Sequence, residues 1–208
     1  MEGEEASGNR RTIESYEGCA LDYARSTAPK PGLDDNPFLR RFREALPSSG
    51  RVLEIGSGPG WDADWLEERR VTVRRTDAAK TFVDFQRARG ARAELLDVVA
   101  DDIGGPYAGV IALYVFQHIE RPRLPRVLAK IARALIGGGA FLFSLREGQR
   151  DFVESGESGS TYLIAEWEKS DLNPILREHG LTDRWSTSGE DADGRWLTIL
   201  TSKANEDG

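Results

Sequence analysis

Three loops rich in glycine or aspartate carry the residues best suited to ligand chemistry. Gly56, Gly58 and Gly60 alternate in the first loop, and glycine there lets the backbone turn tightly and approach a ligand with no Cβ in between. Asp77 ends the next β-type run, where a carboxylate can accept hydrogen bonds from both hydroxyls of a ribose. Asp97 follows a third run and is placed to accept from the amine of an adenine. The set predicts an adenosine site without phosphates.

The spacing of the glycines argues against several other ligand loops. A dinucleotide fingerprint needs its third glycine where Trp61 stands, and a P-loop needs a Gly-Lys-Ser/Thr sequence that does not follow. A nicotinamide-dependent oxidoreductase is therefore kept only as an alternative. His118 and His179 are far apart in a chain with one cysteine, which gives no spacing suited to metal ligands. We expect no metal.

Composition and charge limit the class of partner. The chain has 208 residues, and 28 Lys and Arg against 35 Asp and Glu give a formal net charge of −7. Affinity for a phosphate backbone comes from clustered basic residues, so this balance favours a small-molecule partner over a nucleic acid. The acidic N-terminus is unlike a signal peptide, no apolar run is long enough to span a membrane, and Cys19 is the single thiol. We expect a cytoplasmic protein, monomeric or homodimeric, with no membrane partner.

Apolar runs alternate with helical patterns along the chain. Strands are predicted at residues 51–55, 71–76, 93–96, 110–114, 140–145, 181–186 and 196–201. Helices are predicted at residues 62–68, 80–89, 123–135 and 171–178. Gly137, Gly138 and Gly139 are expected to stop the third of these helices. The alternation indicates an α/β fold with a parallel sheet and helices on both faces, in which ligands bind at the carboxyl ends of the strands.

The chain shows no linker or internal repeat, which favours a single domain. We expect residues 1–10 to form a disordered tail and residues 11–202 to form the domain. Within it, residues 11–46 are expected to form an N-terminal helical cap. Segment 152–167 combines small residues with aromatic ones, a composition that suits a mobile lid loop over the site.

A series of motifs spans residues 50–146. The first reads V-L-E-I-G-S-G-P-G at 52–60, followed by T-D-A at 76–78 and L-D-V at 96–98. Residues 106–119 add a fourth strand with its following turn. In this order the motifs resemble those of class I S-adenosylmethionine-dependent methyltransferases.

Shorter segments are similar to those of a subgroup within that family. They are Y-A-R at 23–25, G-W-D-A at 60–63 and R-E-G at 146–148. Such segments occur in small bacterial methyltransferases, loosely grouped with tellurite-resistance-type and natural-product enzymes.

The resemblance implies a fold, a cofactor and a set of binding residues. The fold is a single Rossmann-like domain with a seven-stranded, mostly parallel sheet whose last strand is antiparallel. The cofactor is S-adenosylmethionine, with S-adenosylhomocysteine as product. Arg25 would meet the carboxylate of the cofactor, whereas Glu54 and the Ala112 carbonyl would meet its ammonium group. The implied cofactor-binding residues are Tyr23, Arg25, Glu54, Gly56, Ser57, Gly58, Gly60, Asp77, Ala78, Asp97, Val98 and Ala112.

The methyl acceptor is expected to be a small molecule that attacks the sulfonium methyl in line. His118 follows the fourth strand and is the candidate general base. A protein that binds the adenosyl ligand without turnover is the second alternative. The residues expected to form the acceptor pocket are Tyr16, Tyr114, Phe116, Arg146 and Trp167.

Overall fold

The computed structural model describes residues 7–29, 36–156 and 159–205. Its helices are α1 (Gly8–Ser26), α2 (Pro37–Ala45), α3 (Trp61–Glu68), α4 (Lys80–Ala88), α5 (Leu124–Ala134) and α6 (Lys169–Glu178). Its strands are β1 (Arg51–Ile55), β2 (Thr72–Asp77), β3 (Ala93–Leu95), β4 (Tyr107–Ala112), β5 (Leu135–Arg146), β6 (Asp151–Ser155), β7 (Thr161–Ala165), β8 (Leu181–Asp191) and β9 (Gly194–Lys203). None of the described helices combines the length and the apolar character that crossing a bilayer requires.

The main sheet has seven strands in the order β3-β2-β1-β4-β5-β9-β8. Strands β1 to β5 pair in parallel, and β9 runs antiparallel to both β5 and β8. The predicted α/β fold, with a mostly parallel seven-stranded sheet and an antiparallel last strand, is confirmed. The strand order reverses between β1 and β4, and such a switch point opens a crevice in which ligands bind.

Alternate residues of the central strands build two cores on opposite faces of the sheet. Leu53, Val110 and Phe141 pack on one face with apolar residues of α5 and α6. Their neighbours Val52 and Ile111 pack on the other face with apolar residues of α2 and α3. Because successive side chains of a strand point to opposite faces, continuously apolar strands require helices on both sides.

Three expectations about local structure need correction. Of the predicted tail, residues 1–6 lie outside the described residues, but α1 already begins at Gly8, after the Ser7 side chain accepts a hydrogen bond from the Arg10 N–H. Gly137–Gly139 do not form a separate turn, because β5 begins directly after α5 and includes them. The segment predicted as a lid loop contains a two-stranded antiparallel hairpin, β6–β7.

The β6–β7 hairpin packs mainly on α1. The Ser15 hydroxyl donates to the Thr161 carbonyl at 2.8 Å, and the Leu163 N–H donates to the Thr12 hydroxyl at 2.9 Å. Ring contacts connect α1 in turn to α4, since Tyr16 lies 5.9 Å from Phe82 between ring centroids. Helix α1 is therefore held between the hairpin and the sheet domain, above the carboxyl ends of the strands.

Candidate active site

A cavity of about 650 Å³ lies where the loops after β1, β2, β3 and β4 converge. Gly56 follows β1, Asp77 ends β2, Asp97 follows β3 and Tyr114 follows β4, and all four line the cavity. The position coincides with the switch in strand order between β1 and β4, as expected for a ligand site of an open α/β sheet.

The glycine turn requires glycine for two different reasons. Gly56 has φ +64°, and a Cβ there would lie 2.5 Å from Cγ2 of Val115. Gly58 has φ +50°, and a Cβ there would meet no atom within 4 Å. Gly56 therefore allows a close approach between two loops, whereas Gly58 presents bare backbone to the cavity.

Asp77 is held in a fixed orientation beneath this turn. One carboxylate oxygen accepts the Gly58 N–H at 2.7 Å, and the other accepts the Ala79 N–H at 2.8 Å. Burial raises the pKa of Asp77 to about 6, although both backbone N–H groups lower it. The carboxylate retains free lone pairs for a ligand, because each oxygen can accept more than one hydrogen bond.

Two further acids lie beside Asp77. Glu54 is buried, and its Oε2 has no hydrogen-bond partner among the described residues. Burial raises the pKa of Glu54 well above its ordinary value, and the negative charge of Asp62 adds to this effect. Burial likewise raises the pKa of Asp62, which lines the cavity, to about 6. A buried carboxylate oxygen without a partner fits a cationic group on the ligand, such as the ammonium and sulfonium of S-adenosylmethionine.

The loop after β3 forms part of the cavity lining. Asp97 and Val98 both line it, with Val98 buried. One oxygen of Asp97 accepts the Val99 N–H at 2.8 Å, so the side chain also stabilises its own loop. The pairing of an apolar surface with a carboxylate suits a flat base that carries an amine.

The rings of Tyr16 and His118 form an aromatic wall in another part of the lining. The Tyr16 hydroxyl lies 3.1 Å from Nε2 of His118, and Nδ1 of His118 lies 2.8 Å from the Leu163 carbonyl oxygen. The carbonyl can only accept, so it places the imidazole proton on Nδ1 and leaves Nε2 as an acceptor. Burial lowers the pKa of His118 to about 4, so the ring is neutral at pH 7.

Most of the predicted site residues meet at this cavity. Glu54, Gly60 and Ala112 are buried next to lining residues in the chain and do not themselves line it. Gly60 instead begins α3 with φ +88°. The predicted residues that line the cavity are Tyr16, Tyr23, Gly56, Ser57, Gly58, Asp77, Ala78, Asp97, Val98, Tyr114 and His118.

Four predicted residues lie elsewhere. Arg25 is exposed on α1 and forms an ion pair with Asp22 at 2.7 Å, so it does not reach the cavity. Phe116 and Trp167 belong to the apolar core beneath the sheet, because both are buried among its side chains. Arg146 is buried at the end of β5, where it lies over the ring of Trp196.

The sequence contained signals for two lining residues that were not predicted, Thr12 and Asp62. Thr12 lies four positions before Tyr16, which is a predicted site residue, and this spacing places both on one helical face. Asp62 follows the last glycine of the turn by two positions, within the G-W-D-A segment. Phe82 on α4 gave no such signal, because its packing against α1 depends on tertiary structure.

Comparison with known proteins decides the family. A protein-family model described as "Methyltransferase domain" matches residues 33–189. The chain belongs to this methyltransferase family. The match disfavours the nicotinamide-dependent oxidoreductase, and no curated protein sequence matches the chain.

Solved structures establish the fold of this methyltransferase. A Burkholderia thailandensis 1,6-didemethyltoxoflavin-N1-methyltransferase, solved with 1,6-didemethyltoxoflavin and S-adenosylhomocysteine, is 17% identical with a TM-score of 0.73, covering 99% of this chain and 94% of its own. A magnesium protoporphyrin IX methyltransferase from Synechocystis PCC 6803, solved with S-adenosylmethionine, is 12% identical with a TM-score of 0.73 and coverages of 97% and 100%. A Methanosarcina mazei S-adenosylmethionine-dependent methyltransferase is 14% identical with a TM-score of 0.71 and coverages of 84% and 100%.

Proposed function

We propose that this methyltransferase takes its methyl group from S-adenosylmethionine and transfers it to a small-molecule acceptor. The observation that carries the proposal is the fixed Asp77 carboxylate beneath the bare backbone of Gly58, at the switch point of the sheet. Two of the similar structures contain S-adenosyl ligands, and one of these also contains 1,6-didemethyltoxoflavin.

Residues in the lining and next to it would each hold a different part of the cofactor. Asp77 would accept hydrogen bonds from the ribose hydroxyls, and Ala78, Asp97 and Val98 would hold the adenine. Glu54 and the Ala112 carbonyl would lie close to the ammonium group, where the unpartnered oxygen of Glu54 gains a cationic partner. The backbone at Gly56, Ser57 and Gly58 would support the ribose and methionyl parts.

The protein contributes alignment and the exclusion of water. When bound, the cofactor supplies an electrophilic methyl group on sulfur, and a nucleophile must approach it in line at about 3 Å. Tyr16, Tyr23 and Tyr114 would form the walls that orient the acceptor. Nε2 of His118 would accept a proton, directly or through the Tyr16 hydroxyl, when the acceptor is a hydroxyl or an ammonium.

The lid of the site would consist of α1 together with the β6–β7 hairpin. Both elements cover the aromatic wall, and hydrogen bonds from Thr12 and Ser15 connect them. A rigid pair of elements over the reacting atoms would exclude water better than an irregular loop. The small bacterial subgroup, the cytoplasmic location and the monomeric or homodimeric state stay predictions.

Binding of S-adenosylhomocysteine by isothermal calorimetry tests the proposal. We expect saturable heat for the wild type and an affinity at least about tenfold lower for Asp77→Asn, because one carboxylate partner of the ribose is lost. Asp171→Asn removes an exposed acid on α6 and serves as the matched control, with unchanged affinity. Absence of wild-type heat at millimolar ligand would refute the proposal.

Turnover separates an enzyme from a protein that only binds. Wild type, S-adenosylmethionine and a mixture of small metabolites should generate S-adenosylhomocysteine faster than the same mixture without the protein. Binding without any product, across mixtures from several sources, would support the non-catalytic alternative. In a thermal-shift panel, S-adenosylhomocysteine should raise the Tm while nicotinamide dinucleotides leave it unchanged.

A further inference from the structure

The charges lining the cavity are unbalanced. Among the described residues, the lining includes five carboxylates and a single arginine. That arginine, Arg89, forms an ion pair with Asp64 at 2.5 Å and lies over the ring of Trp61. Asp77 and Asp97 belong to the cofactor part under the proposed function. Glu68 forms an ion pair with Arg69 at 3.4 Å, so Asp62 is the acid that carries negative charge in excess of these pairs and assignments.

Among the acids that line the cavity, Asp62 is the one without a hydrogen bond or ion pair to another described residue. Its charge acts on Tyr23 and Tyr114, since it raises the pKa of both hydroxyls in addition to burial. A half-buried carboxylate whose charge reaches two aromatic side chains is stabilised when a cation comes between them.

The tip of the β8–β9 hairpin brings more acid to the same side. The ring of Tyr114 contacts that of Trp196 edge-on, with centroids 4.9 Å apart. The indole N–H of Trp196 donates to Asp191 at 3.0 Å, which fixes this acid beside the pair of rings. The charge of Asp193, two residues further along the tip, acts on Tyr23. Tyr114 is 47% exposed and presents its ring to this acidic rim.

The basic residues near the rim are already paired. Arg146 lies over Trp196 and 3.6 Å from Glu154, and Arg195 forms an ion pair with Glu147 at 3.1 Å. An anionic acceptor would therefore find no unpaired arginine in this part of the described structure. A cationic acceptor would lie near Asp62, the acidic hairpin tip and the rings of Tyr23 and Tyr114, which line the cavity.

The geometry points to a methyl acceptor that carries a positive charge, in the first instance a protonated amine on a ring-containing molecule. Asp62, Asp191 and Asp193 attract it, and Tyr23 and Tyr114 receive it by cation–π contact. The inference rests on the proposed function, because it assigns the acceptor side of the same cavity. The charged amine need not be the atom that receives the methyl group. The inference therefore limits the charge of the acceptor and does not specify the methylated atom.

Three probes with one skeleton and different charges test the inference. Tyramine is cationic, 4-ethylphenol is neutral and 4-hydroxyphenylpropionate is anionic, and each is titrated into wild type saturated with S-adenosylhomocysteine. We expect tyramine to bind about tenfold or more tighter than the carboxylate, and the preference to shrink as salt is added. Equal affinities, a preference for the carboxylate, or no measurable tyramine binding overturns the inference.

Variants assign the preference to the acidic side chains. Asp62→Asn and the double variant Asp191→Asn/Asp193→Asn should each reduce the tyramine preference several-fold. The double variant should bind S-adenosylhomocysteine as wild type does, because its residues lie on the hairpin tip outside the cavity lining. If Asp62→Asn loses S-adenosylhomocysteine binding, the double variant alone tests whether acidic side chains cause the preference for tyramine. Asp171→Asn is the control that changes net charge by the same amount per site.

The titrations distinguish a failure of the proposed function from a failure of the inference about the acceptor. If wild type does not bind S-adenosylhomocysteine, the proposed function fails first. If it binds and the three probes show no order by charge, only the inference about the acceptor fails. An unchanged tyramine preference in the double variant would also contradict the role of the hairpin tip.

Discussion

At the scale of single residues, the site contains several acids whose burial lowers the stability of the folded protein. Asp77 is stabilised by two backbone N–H groups, but Glu54 has an oxygen with no partner among the described residues and Asp62 has none for its carboxylate. Groups whose pKa is raised by burial are typical of functional sites, because such sites place charged groups where they meet a ligand. Together with their position at the cavity, these acids favour a ligand-binding role.

Replacing Asp62 with asparagine should therefore stabilise the free protein. The folded state raises the pKa of Asp62 from 3.8 to about 6, so it binds this proton more tightly than the unfolded state does. The charged form then costs stability above about pH 6, and the cost disappears as the pH falls toward about 4. We expect Asp62→Asn to raise the free energy of unfolding by about 1–2 kcal/mol at pH 7.

Urea denaturation of wild type and Asp62→Asn at about pH 7 and about pH 5 measures this difference. The gain should be smaller at the lower pH. A gain in the free energy of unfolding that does not depend on pH, or a loss of stability at neutral pH, would show that the charge of Asp62 does not destabilise the folded state.

At the scale of elements, the loops of the site could be predicted from the sequence. The β6–β7 hairpin that covers the site with α1 could not. The glycine turn and Asp77 could be located because their residue types depend on local backbone geometry and on strand ends. Strand β1 was predicted with the correct bounds for the same reason. The β6–β7 hairpin was not predicted, since its pairing and its contact with α1 arise from tertiary packing.

The close approach at Gly56 gives an element-scale prediction with a matched control. Gly56→Ala should lower the affinity for S-adenosylhomocysteine by about tenfold or more, because the new Cβ lies 2.5 Å from Val115 and displaces the turn. Gly90→Ala introduces a similar positive-φ strain, at φ +89°, with no atom within 4 Å of the new Cβ. It should lose about 1 kcal/mol of stability and keep its affinity. Calorimetry and thermal melts of both variants check this, and equal affinities would contradict it.

The contact between α1 and the hairpin gives a second element-scale prediction. Thr12→Val removes the acceptor of the Leu163 N–H and should cost about 1–3 kcal/mol, since a part-buried donor is left unsatisfied. Hydrogen exchange should accelerate in β7 (Thr161–Ala165) and stay unchanged in β1 (Arg51–Ile55). Ser26→Ala, at the exposed end of α1 and away from the hairpin, is the control. Unchanged exchange in β7 would show that Thr12 does not hold the hairpin.

At the scale of the whole molecule, strand order decides where a ligand can bind. The alternation of apolar runs and helical patterns was sufficient to predict the fold class, and the motif series was sufficient to predict the antiparallel last strand. The positions of Phe116, Arg146 and Trp167 could not be predicted, because an aromatic or basic residue near a strand end suits a core as well as a pocket. The cofactor half of the site was thus more predictable than the acceptor half, whose walls come from distant segments.

The central claim is that the cavity at the β1–β4 switch binds an S-adenosyl ligand with Asp77 on its ribose. A crystal structure of wild type grown with S-adenosylhomocysteine tests it most directly. We expect ribose hydroxyls within hydrogen-bond distance of the Asp77 carboxylate, adenine beside Asp97 and Val98, and sulfur directed toward Tyr16 and His118. Ligand density outside this cavity, or a ribose turned away from Asp77, would contradict it.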